Sequence, residues 1–282
     1  MIRQFSLQNE YAQEYAFSPY KEAFLYEPEG LGYELDAGYR AVGNSWVNDY
    51  MRDKQVAITG SVVFVTDKPY DAESVFLRFI RSSKKLVLVY TTTAGTWMKD
   101  VDLISFEKTE INEENVLQCP ITLMPKSLWY SADRQTYSIS LDGSEDTLIY
   151  PYTWPSRFQA MVNGTLNITN DGSVEAPFTA VWHGPVVNPV LTLLVDGVEM
   201  AACEITGEAI SGETINYSSR DGDLYVYHET AAGVRTNLIS GLDINNTNFF
   251  KLPIGMSELQ FTADAQITQP IVISVYKMYR AT

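Results

Sequence analysis

The residues able to do chemistry are few, and their spacing does not suit it. The chain has two histidines, His183 in VWHGP and His228 in LYVYHET. His183 reads as a strand end and His228 as a strand residue near a turn. Neither belongs to a His-Glu-x-x-His pattern or has a cysteine at ligand spacing, so neither predicts a zinc site. No Gly-x-Ser-x-Gly elbow offers a serine nucleophile. Cys119 in QCPITL and Cys203 in AACEI lie in strand-like runs. They read as buried, inert thiols of a reducing compartment, not as a disulfide or a protease nucleophile. Acids number 35 and form neighbours such as Asp100 with Asp102 and Glu113 with Glu114. Glycoside hydrolysis needs two carboxylates held across a cleft, which proximity in sequence does not supply. LDGSEDT, Leu141 to Thr147, has the composition of a calcium loop but lacks its alternation and terminal glutamate, so it reads as an acidic linker. The expectation is no catalytic residue, no cofactor, no metal and no enzyme.

Binding residues are a different matter. Trp129, Tyr130, Tyr150, Tyr152, Trp154 and Trp182 crowd the middle of the chain and its second half. Flat aromatics stack on sugars, and they also pack domain junctions and subunit contacts. Trp154 and Trp182 are the candidate contacts for a carbohydrate or a protein partner. FLYEPEGLGYELDAGY, Phe24 to Tyr39, places Gly30, Gly32 and Gly38 among acids. A phosphate cradle would need converging N–H groups at a helix start. Glu27, Glu29, Glu34 and Asp36 would repel a phosphate, and Gly43, Asn44 and Asn48 break any helix that follows. The stretch reads as a turn between extended segments.

Composition sets the frame for these residues. The chain has 282 residues, a net charge of −15, 45% hydrophobic residues, 18 tyrosines and 12 phenylalanines. Aromatic and β-branched residues favour pleated surfaces, so an all-β chain is expected. The acidic balance opposes sequence-independent nucleic-acid binding and docking on anionic lipid. The N-terminus MIRQFSLQNEY turns polar at once, so no signal peptide is expected. No apolar run is long enough to span a bilayer, which predicts no membrane insertion.

VAITGSVVFV (Val56 to Val65), LVLVY (Leu86 to Tyr90), VDLISF (Val101 to Phe106) and NVLQCPITLMP (Asn115 to Pro125) read as strands. PYDAESVFLRFIRSSKK interrupts them with the one convincing helix. Val75, Phe76, Phe79 and Ile80 form its inner face. Asp71 or a neighbour caps its start, and Arg81, Lys84 and Lys85 suit its end. Arg78, Arg81 and Lys85 form its solvated face. A small barrel with a helix laid against it satisfies this order. The character changes between about Tyr130 and Pro155. Beyond it, short strands alternate with Asp171-Gly172, Asp196-Gly197 and Asp221-Gly222, dipeptides that hairpins favour. The last strand is expected over Pro270 to Tyr279, with Ile271, Ile273 and Val275 on one face. These features predict a β-sandwich.

The succession IRQFSLQNEYAQEY, FLYEPEGLGYE, VAITGSVVF, PYDAESVFLRFI, LVLVY, VDLISFEKTEI and MPKSLWY resembles the N-terminal domain of siphophage distal tail proteins. The second half, with Asn170 to Gly172, His183-Gly-Pro, Asn188-Pro and FFKLPIGMSELQFTA, is similar to the galectin-like domain of that family. The resemblance implies a mainly β protein. Residues 1–135 would form a split β-barrel belt domain with one α-helix, and residues 136–282 a linker and a galectin-like β-sandwich. It implies a homo-hexameric ring in the virion tail, assembled in the host bacterial cytoplasm. That ring would join the major tail tube protein to a tail tip or tail-associated lysin protein and to receptor-binding proteins, with DNA only passing through the lumen. Strand edges around Gln4 to Tyr15 and Val56 to Val65 are the expected ring contacts, and the first half is expected to assemble alone. The alternative is a carbohydrate-binding β-sandwich module for host-surface recognition.

Overall fold

A computed structural model describes residues 3–131, 135–139, 164–264 and 269–281. The chain divides into two units, Met1–Asp133 with Met278–Thr282, and Arg134–Lys277. The first unit opens with β1 (Gln4–Asn9), β2 (Glu14–Phe17) and β3 (Ala23–Glu29), then a hairpin of β4 (Glu34–Val42) and β5 (Ser45–Lys54). It continues through β6 (Ile58–Val65), α1 (Pro69–Ser82), β7 (Leu86–Thr91), β8 (Thr96–Phe106), β9 (Val116–Pro125) and β10 (Trp129–Ser131).

Antiparallel pairing runs β2-β1-β7-β8-β9-β6-β3. The two ends of this path meet only at the turn between β2 and β3, where the Ser18 N–H donates to the Ala23 carbonyl at 2.9 Å. The sheet therefore curls into a split barrel without closing. Strand alternation fills it: Phe5 and Leu7, Val62 and Phe64, Leu86 and Leu88, and Leu117, Cys119, Ile121 and Leu123 are all buried, every second residue pointing inward. The expected ring edges are corrected here. β1 lies between β2 and β7, and β6 between β3 and β9, so neither has a free edge; of the expected stretches only Glu14 and Tyr15 fall on an end strand, β2.

Helix α1 starts with Pro69, whose missing N–H is one a helix start leaves unpaired anyway. Its N-cap is Lys68, with no side-chain cap bond; Asp71 contributes only charge to the first turn. Phe76 is the helix's anchor. Its ring lies 5.0 Å from Tyr15, 5.2 Å from Phe106, 5.9 Å from Phe17 and 6.3 Å from Phe64. The buried stripe is Pro69, Ala72, Glu73 and Phe76. Val75, expected inside, is 49% exposed, because it falls about 100° short of Phe76 around the helix. Past the helix end, the Glu10 carboxylate accepts the backbone N–H groups of Lys84 and Lys85.

In the second unit, β11 (Gln135–Ile139), β12 (Gly164–Asn170), β13 (Phe178–His183), β14 (Val186–Val187), β15 (Val190–Val195), β16 (Val198–Glu204) and β17 (Glu208–Ala209) come first. β18 (Thr214–Arg220), β19 (Asp223–Glu229), β20 (Arg235–Asn237), β21 (Gly255–Thr262) and β22 (Ile271–Val275) follow. One sheet runs β11-β22-β13-β18-β19-β20, and the other β12-β21-β15-β16. Phe178, Trp182, Ile215, Tyr217, Val226 and Ile273 of the first meet Ile168, Leu191, Leu193, Cys203, Leu259 and Phe261 of the second in one core. Asp196-Gly197 joins β15 to β16, with both residues at positive φ, and Asp221-Gly222 joins β18 to β19. Asp171-Gly172 makes no hairpin: it leads out of β12 toward the other sheet, its start fixed by Asn170, whose amide oxygen accepts the Gly172 N–H. The expected last strand stops at Val275. Beyond it, β23 (Met278–Tyr279) pairs with β10 of the first unit's own sheet.

Lys99 is buried on β8, its ammonium 4.7 Å from the Trp129 ring centroid. Burial away from water pulls its pKa down to about 8. The unfolded chain, with lysine at about 10.4, then binds the extra proton, so stability rises with pH between about 8 and about 10. Denaturant titration of the full chain across that window will show the wild type gaining stability relative to Lys99→Met, a comparison in which the opposing Cys119 and Tyr15 shifts cancel. Gly30 has φ +78°, and a Cβ there would sit 2.2 Å from the Ala57 carbonyl oxygen. Gly30→Ala will therefore lower the unfolding free energy by about 2 kcal/mol or more. Gly43→Ala, at φ +61° in open space, will cost about 1 kcal/mol. Urea midpoints of the two variants check the difference.

Candidate assembly interface

Among the described residues, the hairpin of β4 and β5 pairs with no other strand, and every residue of β5 is exposed. Its register sorts the side chains. Glu34 opposes Lys54, Asp36 opposes Arg52 and Gly38 opposes Tyr50; a bulge follows Gly38, after which Tyr39 opposes Asn48 and Ala41 opposes Trp46. One face is a ladder of ion pairs: Lys54 to Glu34 at 2.6 Å, Arg52 to Asp36 at 2.7 Å and Arg40 to Asp49 at 2.8 Å. The Tyr50 ring lies so close over Gly38 that a Cβ there would meet it at 2.4 Å, which explains that glycine. The other face carries Leu35, Ala37, Tyr39, Ala41, Met51 and Trp46. Of these Trp46 is 74% exposed, Met51 56% and Tyr39 56%.

A two-stranded ribbon is marginal in water unless something packs on its apolar side, and a large exposed apolar patch marks a contact surface. The sequence reading identified the turn ahead of this hairpin but used Gly43, Asn44 and Asn48 only to exclude a helix. The overlooked signal was alternation: charge at Glu34, Asp36 and Arg40, apolar or small residues at Leu35, Ala37, Tyr39 and Ala41.

The residues singled out for binding or chemistry do not come together. Trp182 is fully buried, its ring 6.2 Å from Phe261 and 6.4 Å from Tyr217. A ring with no exposed surface cannot stack on a sugar or a partner, so its place as a contact is corrected to one in the core. Among the described residues its indole nitrogen has no hydrogen-bond partner. Trp154, Tyr150, Tyr152 and the Leu141–Thr147 stretch lie outside the described residues. Trp129 is also in the core, its indole N–H donating to the Leu31 carbonyl at 3.0 Å. His228 meets Glu213 at 2.8 Å. Asp100 accepts the Tyr130 hydroxyl at 2.9 Å, and Asp102 pairs with Lys126 at 3.2 Å. Among the described residues, no group of three histidines, cysteines or carboxylates could hold a metal, and no helix is long and apolar enough to cross a membrane. Both cysteines are buried free thiols. Burial pushes the Cys119 thiol up, and burial with Glu204 nearby pushes Cys203 to about 12.

A split barrel anchored by one helix, a self-paired amphipathic hairpin and a β-sandwich make this a β-rich protein of two units. Residues 4–126 match the family model for the distal tail protein, N-terminal domain. A chain of the phage P2 baseplate in its activated conformation with calcium is 15% identical, with TM-score 0.70 and all of both chains covered. The same holds for the strontium form. The SPP1 Dit protein, described as a paradigm of the hub adsorption apparatus in phages infecting Gram-positive bacteria, is 10% identical, with TM-score 0.62 over 97% of this chain and 98% of that one. At these identities the likeness is one of fold, and it runs the length of the chain. No curated protein matches. Residues 4–126 therefore form a distal tail protein N-terminal domain.

Both thiols will be silent to a thiol reagent in the native protein at neutral pH, because a protonated, buried thiol is not a nucleophile. Two equivalents will appear in denaturant. A native thiol that reacts at the free-cysteine rate would contradict this burial.

Proposed function

We propose that this protein is a structural, non-catalytic subunit of the tail tip. It forms a homo-hexameric ring that joins the tail tube protein to the tip or tail-associated lysin protein and to receptor-binding proteins. It works in the virion tail after assembly in the host cytoplasm. Residues 1–135 supply the belt, and residues 136–282 the linker and the sandwich. The observation that carries this reading is the β4–β5 hairpin, a ribbon whose apolar face needs another chain to cover it. The family match over residues 4–126 and the baseplate and hub titles of the similar structures support it.

Magnitudes are consistent with a neighbouring copy as the cover. Strands of this length span roughly 30 Å, and two of them make a face of about 300 Å². A stable contact buries on the order of 800 Å² per partner, so the hairpin is the projecting part of a larger interface. In a ring each chain gives one hairpin and receives one, a heterologous contact that closes on itself. Charge allows it as well. Each chain carries −15, yet the hairpin's ladder is internally paired, so the contact itself is nearly neutral. Six chains carry 6 × (−15) = −90, a balance that lets DNA pass through a lumen without being held. The carbohydrate-binding alternative gains nothing from Trp182, which is sealed in the core.

Light scattering on the purified chain will give about six times its 31.7 kDa mass. Trp46→Glu with Met51→Glu will give a folded monomer, since two charges on the apolar face cannot be buried without partners. A wild-type chain that stays monomeric at tens of micromolar would overturn the ring.

A further inference from the structure

Three of the hairpin's four acids are paired within it: Glu34 with Lys54, Asp36 with Arg52 and Asp49 with Arg40. The fourth, Asp53, sits opposite Leu35 at the root of the apolar face. Its partner comes from 227 positions away: Arg280 donates through Nε to the Asp53 carboxylate at 2.8 Å. Arg280 follows β23 directly. β23 is itself fixed, with Tyr279 opposite Trp129 and Met278 opposite Tyr130. Trp129 in turn donates to the carbonyl of Leu31, three residues before β4. The hairpin's outgoing strand is thus tied through Leu31 and its returning strand through Asp53. Both ties converge on the β10–β23 pair. Gln55, just past β5, adds a bond from its amide to the Pro125 carbonyl at 2.6 Å.

We propose that the chain's last residues, β23 and Arg280, are a clasp that sets the direction of the hairpin, with Arg280 as its positioning residue. The inference rests on the reading of the hairpin as an assembly arm. It gives the fold an order of events. The chain reaches β23 only after passing through the whole second unit, so the arm is seated only on a chain that has completed its sandwich. A protomer truncated after the barrel lacks β23. Its arm would keep the Leu31 and Gln55 bonds and lose the Asp53 tie, so residues 1–135 alone would assemble less well than the full chain.

The test uses the full-length chain. In Arg280→Glu, amide hydrogen exchange over residues 31–57 will rise about three- to tenfold, the scale of losing a half-exposed ion pair and gaining a repulsion. Exchange in β7 and β9 will stay unchanged, and the assembled fraction by mass photometry will fall. The swap Asp53→Arg with Arg280→Glu will restore both. A local structural defect would not be rescued by exchanging the charges, whereas a clasp is. Unchanged exchange over residues 31–57 in Arg280→Glu, or no rescue by the swap, overturns the clasp. A monomeric wild-type chain overturns the ring instead, and the exchange measurement still decides the clasp.

Discussion

The first unit depends on where Trp129 is placed. It is among the largest side chains with no exposed surface, and a buried indole must find an acceptor or lose a hydrogen bond. The Leu31 carbonyl is that acceptor. Its ring also carries the Lys99 ammonium on one side and lies 6.0 Å from Tyr90. Its strand, β10, pairs with β8 through Tyr130 and Ser131 and with β23 through Trp129 and Tyr130. One residue therefore fastens the barrel wall, the root of the hairpin and the last strand of the chain.

From that constraint comes a division of labour. The barrel is stabilised in the ordinary way, by alternate apolar residues inside a curled sheet and by Phe76 set among four aromatic rings. The hairpin is not. Its ion pairs are exposed, and exposed pairs contribute at most about 1 kcal/mol each. They keep register and solubility on one face while leaving the other face apolar. The proposed ring would give Trp46, Met51 and Tyr39, exposed together on this ribbon, a neighbouring surface to pack on.

The sandwich has the opposite character. Its tryptophan is sealed inside, its buried Asn170 side chain is satisfied by the Val174 and Leu252 carbonyls and the Gly172 N–H, and its histidine at 228 is held by Glu213. Its core is closed in this way, although Val198, Met200 and Met256 stay exposed on its surface.

Much of this was legible in the residues. Alternation in Leu117 to Leu123 and in Ile271 to Val275 fixed which side faces each core, because a strand's period of two leaves no other choice. Phe76 marked the helix. Asp196-Gly197 and Asp221-Gly222 marked hairpins because local backbone preference suffices there. What sequence could not decide was non-local. Trp182 and Trp46 are the same residue type in similar strand-like surroundings, and only the sheet pairing buries one and exposes the other. Strand order put β1 and β6 in the interior of the sheet, against the expectation of free edges. Val75 and Phe76 are neighbours on one helix, and only packing chose between them. The pairing of Arg280 with Asp53 spans nearly the whole chain, and no local pattern encodes a contact that exists only once the last strand has returned to the first unit.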